Sequence, residues 1–255
     1  MNFKKSDLKT FFIIFPLLFL LLPDLSPAED ASQIIKRVED NLNGKTAVME
    51  ISMTVITQHG KRTIKMKSYS IGKEKSFIKI LFPGKDKGIT FLKIDNNMWQ
   101  YVPRIEKTIK IPASMMLQSW MGSDFSNDDL VRESSSSDDY TAKFLRKSED
   151  VYLIELLPKE EAAVVWGKII MEISKHYYLP TRVSYYDENN TLIRELIYSD
   201  IRSFGKRFYA TKWLMLPREA AKRGHETHIT ISNAVFDEEV SRSYFSKRAL
   251  KRFSR

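Results

Sequence analysis

The chain has 255 residues, 43% of them hydrophobic, with nine glycines, nine prolines and no cysteine, and 41 basic against 32 acidic side chains give it a formal charge of +9. That much hydrophobic sequence with so little glycine and proline excludes a disordered or collagen-like chain, and the length can bury a core as one large domain or two small ones. The lack of cysteine excludes disulfides, zinc–thiolate and iron–sulfur sites, a thiol nucleophile and lipid attachment to an N-terminal cysteine.

Residues 1–28 have the layout of a secretory signal peptide. Lys4, Lys5 and Lys9 face one acid, Asp7, in the first ten residues; an apolar run follows from Phe11 to Leu22, and Ser26-Pro27-Ala28 places small residues at the −3 and −1 positions. A membrane-spanning helix needs about 20 apolar residues, and this run is shorter. Cleavage after Ala28 is therefore expected, with a mature chain over residues 29–255 and a periplasmic location. In that compartment a basic surface meets anionic lipid, peptidoglycan or an acidic protein, and nucleic acid is not an expected partner.

Ile34, Ile35, Val38 and Leu42 then fall on one helical face, closed by Asn43-Gly44, which predicts a short amphipathic helix. After Gly44 the period changes to two. Met49, Ile51, Met53 and Val55 alternate with polar residues up to a turn at His59-Gly60, and Ile64 and Met66 alternate on the return strand over 61–71. Further strands are predicted over 76–82, 88–94, 98–103 and 108–111, with turn residues between them, as in an antiparallel meander.

Residues 112–129 break this pattern. The stretch 113–121 suits a helix closed by Gly122. A second helix start follows, with Ser126 as N-cap, Asp129 at the N3 position of a capping box, and Phe125 and Leu130 as a hydrophobic staple that would anchor a lid helix. The serine run at 134–137 reads as a solvated loop. Strands resume over 152–158, 164–173, 179–186, 191–204, 208–216 and 226–236, and Ser246 caps a C-terminal helix over 247–253. The expected fold is mainly β (α+β): one unclosed antiparallel barrel of about ten or eleven strands, a size at which a sheet curls, with short helices as a lid over its concave side.

Chemical motifs are sparse. His225-Glu-Thr-His228 lacks the helical spacing of a zinc site, and residues three apart on a strand point to opposite faces. Asp124, Asp128 and Asp129 have no calcium-loop spacing, and Asn189-Asn190 suits a hairpin turn. No nucleophile elbow, phosphate loop or dinucleotide fingerprint is present. Neither a catalytic residue, a metal site nor a cofactor is therefore assigned, and the chain is not read as an enzyme. What stands out is apolar excess: Met115, Met116, Trp120 and Met121 in the lid segment, Trp99 and Tyr101 on one face of their strand, and Met49, Met53 and Met66 on neighbouring faces. These nine are the candidate lining of an apolar cavity, since methionine adapts to variable apolar ligands.

At Trp99-Gln-Tyr-Val-Pro103, Ile109-Lys-Ile111 and the stretch Ser119-Trp-Met-Gly-Ser-Asp-Phe-Ser-Asn-Asp-Asp-Leu130, the chain resembles the bacterial outer-membrane lipoprotein-sorting proteins, relatives of the periplasmic lipoprotein carrier of the Lol system. Tyr152–Lys159, Pro180–Asp187 and Phe245–Leu250 extend the likeness over nearly all of the mature chain. Asn127 stands where this branch has an aromatic residue. The resemblance implies an open barrel with helices on its concave side, and a cavity that receives the acyl chains of a lipoprotein or lipid. It also implies an inner-membrane transporter as donor, an outer-membrane acceptor, and a monomeric carrier between them. Exposing a chain of about 15 methylenes to water costs on the order of 12 kcal/mol, so carriage requires a covered cavity. The alternative is an envelope interaction or sensor module with a packed barrel, which contacts a partner protein or anionic lipid through the basic tail at Lys247-Arg248 and Lys251-Arg252.

Overall fold

The computed structural model describes residues 29–132 and 136–255; the leader expected over residues 1–28 lies outside the described residues. Alternating apolar and polar side chains build two meanders. The first comprises β1 (Thr46–Thr57), β2 (Gly60–Ile71), β3 (Lys75–Phe82), β4 (Thr90–Ile94), β5 (Asn97–Val102) and β6 (Lys107–Lys110). The second comprises β7 (Tyr140–Lys147), β8 (Val151–Pro158), β9 (Lys168–Ser174), β10 (Leu179–Tyr186), β11 (Leu192–Phe204), β12 (Arg207–Pro217) and β13 (Glu226–Phe236). Pairing of β1 with β13 joins them into one antiparallel sheet of 13 strands, with β6 and β7 left as its two edges.

The sheet therefore has more strands than the ten or eleven expected. The stretches of strand periodicity taken one by one number twelve, and the thirteenth strand, which periodicity overlooks, is β7. Its alternation of Tyr140, Ala142 and Phe144 is interrupted by an outward Leu145 and by a register slip between Phe144 and Arg146.

Helix α1 (Ala31–Asn43) starts at a capping box in which Asp30 accepts from the Gln33 amide at 2.8 Å and Gln33 returns the bond, and it ends at Gly44, whose φ is 64°. Its buried face is Ala31, Ile34, Ile35 and Val38. Polar ties hold it on the second meander: Asn41 donates to the Tyr177 and Tyr178 carbonyls, and Arg207 donates to the Asp40 carbonyl at 3.0 Å.

Residues 113–121 do not form the expected helix. They make two separate 3-10 turns, Ala113–Met115 and Trp120–Gly122, because Met121 and Gly122 both enter the left-handed region at φ 51° and 71°. Ser119 then pairs with Ser126 across the loop. The second helix start is present: Ser126 and Asp129 exchange a capping box, at 2.7 and 3.2 Å, opening the one-turn helix α2 (Asp129–Arg132). A further turn, α3 (Ser136–Asp139), leads into β7. The lid is thus mostly loop.

The two faces of the sheet carry separate cores. The concave face holds the main cluster, with Met53, Ile64, Ile80, Ile154, Leu196 and Met215 fully buried. On the convex face of β2–β5 lies a second cluster of Phe77, Leu92 and Tyr101 under helix α4 (Lys247–Arg252), whose Ala249 and Leu250 are buried. Thr90 ties that helix down through the Leu250 carbonyl at 2.8 Å. Being covered on both sides, β4 buries four of its five residues.

Candidate functional site

On the concave face lies a groove of about 270 Å³. Strand parity sets its floor: Met49, Ile51 and Met53 on β1 are in register with Ser68, Met66 and Ile64 on β2, and Ile78 on β3 follows Ser68. Met49, Ile51, Met53, Met66, Ser68 and Ile78 all line the space. Ile35, Val38 and Leu42 of α1 form one wall, and Tyr198, Tyr209 and Trp213 of β11 and β12 form another. Trp120, Phe125 and Leu130 close it from the lid. A larger cleft of 540 Å³ outside α1 is lined by Asp30, Lys36, Asp40 and other polar side chains. The 270 Å³ groove combines an apolar interior with a few polar groups at one end, the usual make-up of a ligand site.

The lid is held by charge. The Arg194 guanidinium on β11 grips the Asp129 carboxylate through both of its oxygens, one at 2.7 Å, and stacks against Trp166 and Tyr185, each ring centroid 4.5 Å away. Asp124 accepts from the Thr227 hydroxyl at 2.7 Å and donates its amide back to it. Arg62 donates to the Met121 carbonyl. Within the lid, Asn127 donates to the Met115 carbonyl at 2.9 Å, so its side chain serves the loop's own backbone. The buried indole nitrogen of Trp120 has no acceptor among the described residues.

The polar end lies where α1 meets the β2–β3 turn. Glu39 accepts from the Ser137 amide at 2.7 Å and from its hydroxyl, and burial raises its carboxyl above the ordinary 4.5 against the pull of those bonds. Lys73 pairs with Asp138 across the mouth. Lys93 on β4 points inward from the same face as Phe91, and burial pushes its ammonium down from 10.5 to about 8.

Six of the apolar residues singled out in the sequence meet in this groove: Met49, Met53, Met66, Trp120, and the two lid anchors Phe125 and Leu130. Met115, Met116 and Met121 pack against the main core but do not line the groove, because the broken helix turns them away from it. Trp99 and Tyr101 belong elsewhere. They do share a strand face, but pairing of Trp99 with Leu92 puts that face on the convex side, under α4. Sequence reading passed over Lys93, Tyr209 and Trp213 as lining. A signal for Lys93 existed, since a charged residue sits at an inward position of an otherwise apolar strand. Tyr209 and Trp213, four apart on one strand, share a face by parity.

A family model described as an uncharacterized protein matches residues 72–252. No curated protein matches the chain. Three solved structures share its fold. A DUF1329 family protein from Desulfovibrio piger superposes with a TM-score of 0.78 at 23% identity, over 86% of this chain and 97% of that one. An outer membrane lipoprotein-sorting protein domain from Vibrio parahaemolyticus gives 0.76 at 20% identity, over 87% and 98%. A LolA superfamily protein from Nitrosomonas europaea gives 0.71 at 18% identity, over 87% and 99%. The likeness to lipoprotein-sorting proteins found in the sequence therefore holds at the level of fold.

Proposed function

The chain belongs to the family of uncharacterized proteins whose model matches its residues 72–252, and we propose that it is a periplasmic, non-enzymatic carrier that binds acyl chains of a lipoprotein or lipid in the concave groove and ferries them between envelope membranes. The observation that carries this reading is the groove itself: an apolar channel on the inside of an open sheet, with a loop cover pinned in its second half by Arg194 and Thr227. Fold likeness alone would not assign a cargo. Apolar space of this kind gains about 0.8 kcal/mol for each methylene it takes from water, and it leaves the cargo free to depart because no bond is made.

Native mass spectrometry of the protein purified from its own periplasm, followed by lipid extraction, tests the proposal. A stoichiometric adduct carrying acyl chains is the expected result. A bare mass that persists after incubation with lipid vesicles would overturn it and favour the interaction module, for which binding through the basic end of α4 would be the next measurement.

A further inference from the structure

One end of the groove holds a buried cation. Lys93 is 7% exposed, and pairing of Ser70 with Ser76 and of Ser76 with Lys93 sets the three residues in one row across β2, β3 and β4. All three line the groove. Adjacent strands lie about 4.8 Å apart, so the row forms a short polar shelf at the end of an apolar channel.

An ammonium carries three donors. One of Lys93's reaches the Lys73 carbonyl at 2.5 Å, and among the described residues no carboxylate forms an ion pair with it. Glu74 and Asp95 act on it from a distance, opposed by the charge of Lys73. The acids that line the groove are engaged elsewhere, Glu39 by Ser137 and Asp129 by Arg194, and Lys73 is engaged by Asp138. A lysine that merely crosses apolar ground carries its ammonium out to water; Lys93, 7% exposed as a whole residue, ends its ammonium against the β2–β3 turn at the polar end of the groove. A buried cation without a counter-charge is costly to a fold, and such groups concentrate where a ligand supplies the missing charge.

Building on the carrier reading, we propose that Lys93, with the hydroxyls of Ser70 and Ser76 beside it, receives the anionic group of a single-chain amphiphile, a carboxylate or a phosphate monoester, whose acyl tail lies along the groove. The volume limits the cargo to a single chain: 270 Å³ is just under the range of about 300–1,000 Å³ typical of ligand pockets. The shelf orients the cargo head-first toward β4, with the tail running toward Met53 and Trp213.

Binding of three probes with the same tail tests this: palmitate, palmitoyl lysophosphatidate and hexadecanol, titrated at neutral pH into the mature chain and into its Lys93→Met variant. The wild type is expected to bind at least one anionic probe about tenfold or more tighter than the alcohol, the scale of one charge-assisted hydrogen bond. Which anion wins identifies the head group. Lys93→Met is expected to erase that preference while hexadecanol still binds, which also reports that the variant is folded, and Ser76→Ala to reduce the preference in part. Equal affinity for all three probes in the wild type, or a preference that survives in Lys93→Met, overturns the head-group site and leaves the carrier intact. Failure of all three to bind overturns both readings.

Discussion

Arg194 and Asp129 form a buried two-pronged ion pair, each side chain 7% exposed, that fastens the lid to the middle of the second meander. Asp129 works twice. The same carboxylate accepts the Ser126 amide that opens α2, so one residue couples the start of the lid helix to the sheet beneath it. Removing either partner strands a charge away from water, at a cost of about 3–5 kcal/mol. Asp129→Ala and Arg194→Met are each expected to lose that much stability in denaturant unfolding. The double variant should lose less than the sum of the two, because it leaves no charge behind.

The groove can be filled without touching its charges. Ser68 sits mid-floor between Met49 and Ile78, on the face that lines the space. Ser68→Phe would occupy part of the 270 Å³ with an aromatic ring. Acyl-probe binding should fall by about a hundredfold or more, the equivalent of losing three to four buried methylenes, while the thermal midpoint holds or rises. Full retention of binding would place the cargo outside the groove.

Much of this architecture was legible in the sequence, because strand alternation and helix caps act over a few residues. The capping box at Ser126–Asp129 is an example, as is the apolar stripe of α1. What one strand cannot tell is which of its faces is concave. Trp99 and Tyr101 show the same parity whichever way the sheet curls, and only the placement of α4 some 150 residues later puts them on the convex side. The lid failed for a different reason. Residues 113–121 have helical composition, but Met121 and Gly122 take left-handed backbone where Arg62 of β2 captures the Met121 carbonyl, a tertiary contact that overrides local preference. Lys93 was overlooked because its position looked like the polar half of an alternation that β4, buried on both faces, does not have.

The convex cluster is expected to support the fold and not the cargo. Leu250 on the inner face of α4 is fully buried against Phe77, Leu92 and Tyr101. Leu250→Ala should cost about 2–5 kcal/mol of stability, and Trp99→Ala should lower stability as well. Neither should change acyl-probe affinity measured below the unfolding transition. A specific loss of affinity in a folded Trp99→Ala protein would mean that the cargo reaches the convex face.

Glu39 makes stability depend on acid in an uncommon direction. Burial raises its carboxyl above 4.5, with Ser137's two hydrogen bonds and the charge of Lys73 opposing the rise. The folded protein thus holds this proton to higher pH than the unfolded chain does, so Glu39's contribution is fully present below about pH 4.5 and is lost as pH rises through its folded value. Glu39→Gln retains an acceptor for Ser137 and removes the titration. It should be more stable than wild type at pH 7, with the difference vanishing toward pH 4 in paired thermal melts.

Lys93 works at the other end of the scale. Its ammonium titrates at about 8 in the fold against 10.5 in the unfolded chain, for burial outweighs the attraction of Glu74 and Asp95 and Lys73 repels it. Below pH 8 both states are charged and the folded one bears the full burden; between 8 and 10.5 the unfolded chain holds a proton that the folded one has released, so stability climbs with pH. A displacement of that size corresponds to about 3 kcal/mol. Lys93→Met should therefore be more stable than wild type by roughly that amount at pH 7, and the gap should close as pH passes 10. Adding a bound anionic amphiphile should narrow it at pH 7 too, by stabilising wild type more than the variant, because the ligand brings the counter-charge that the described residues do not supply.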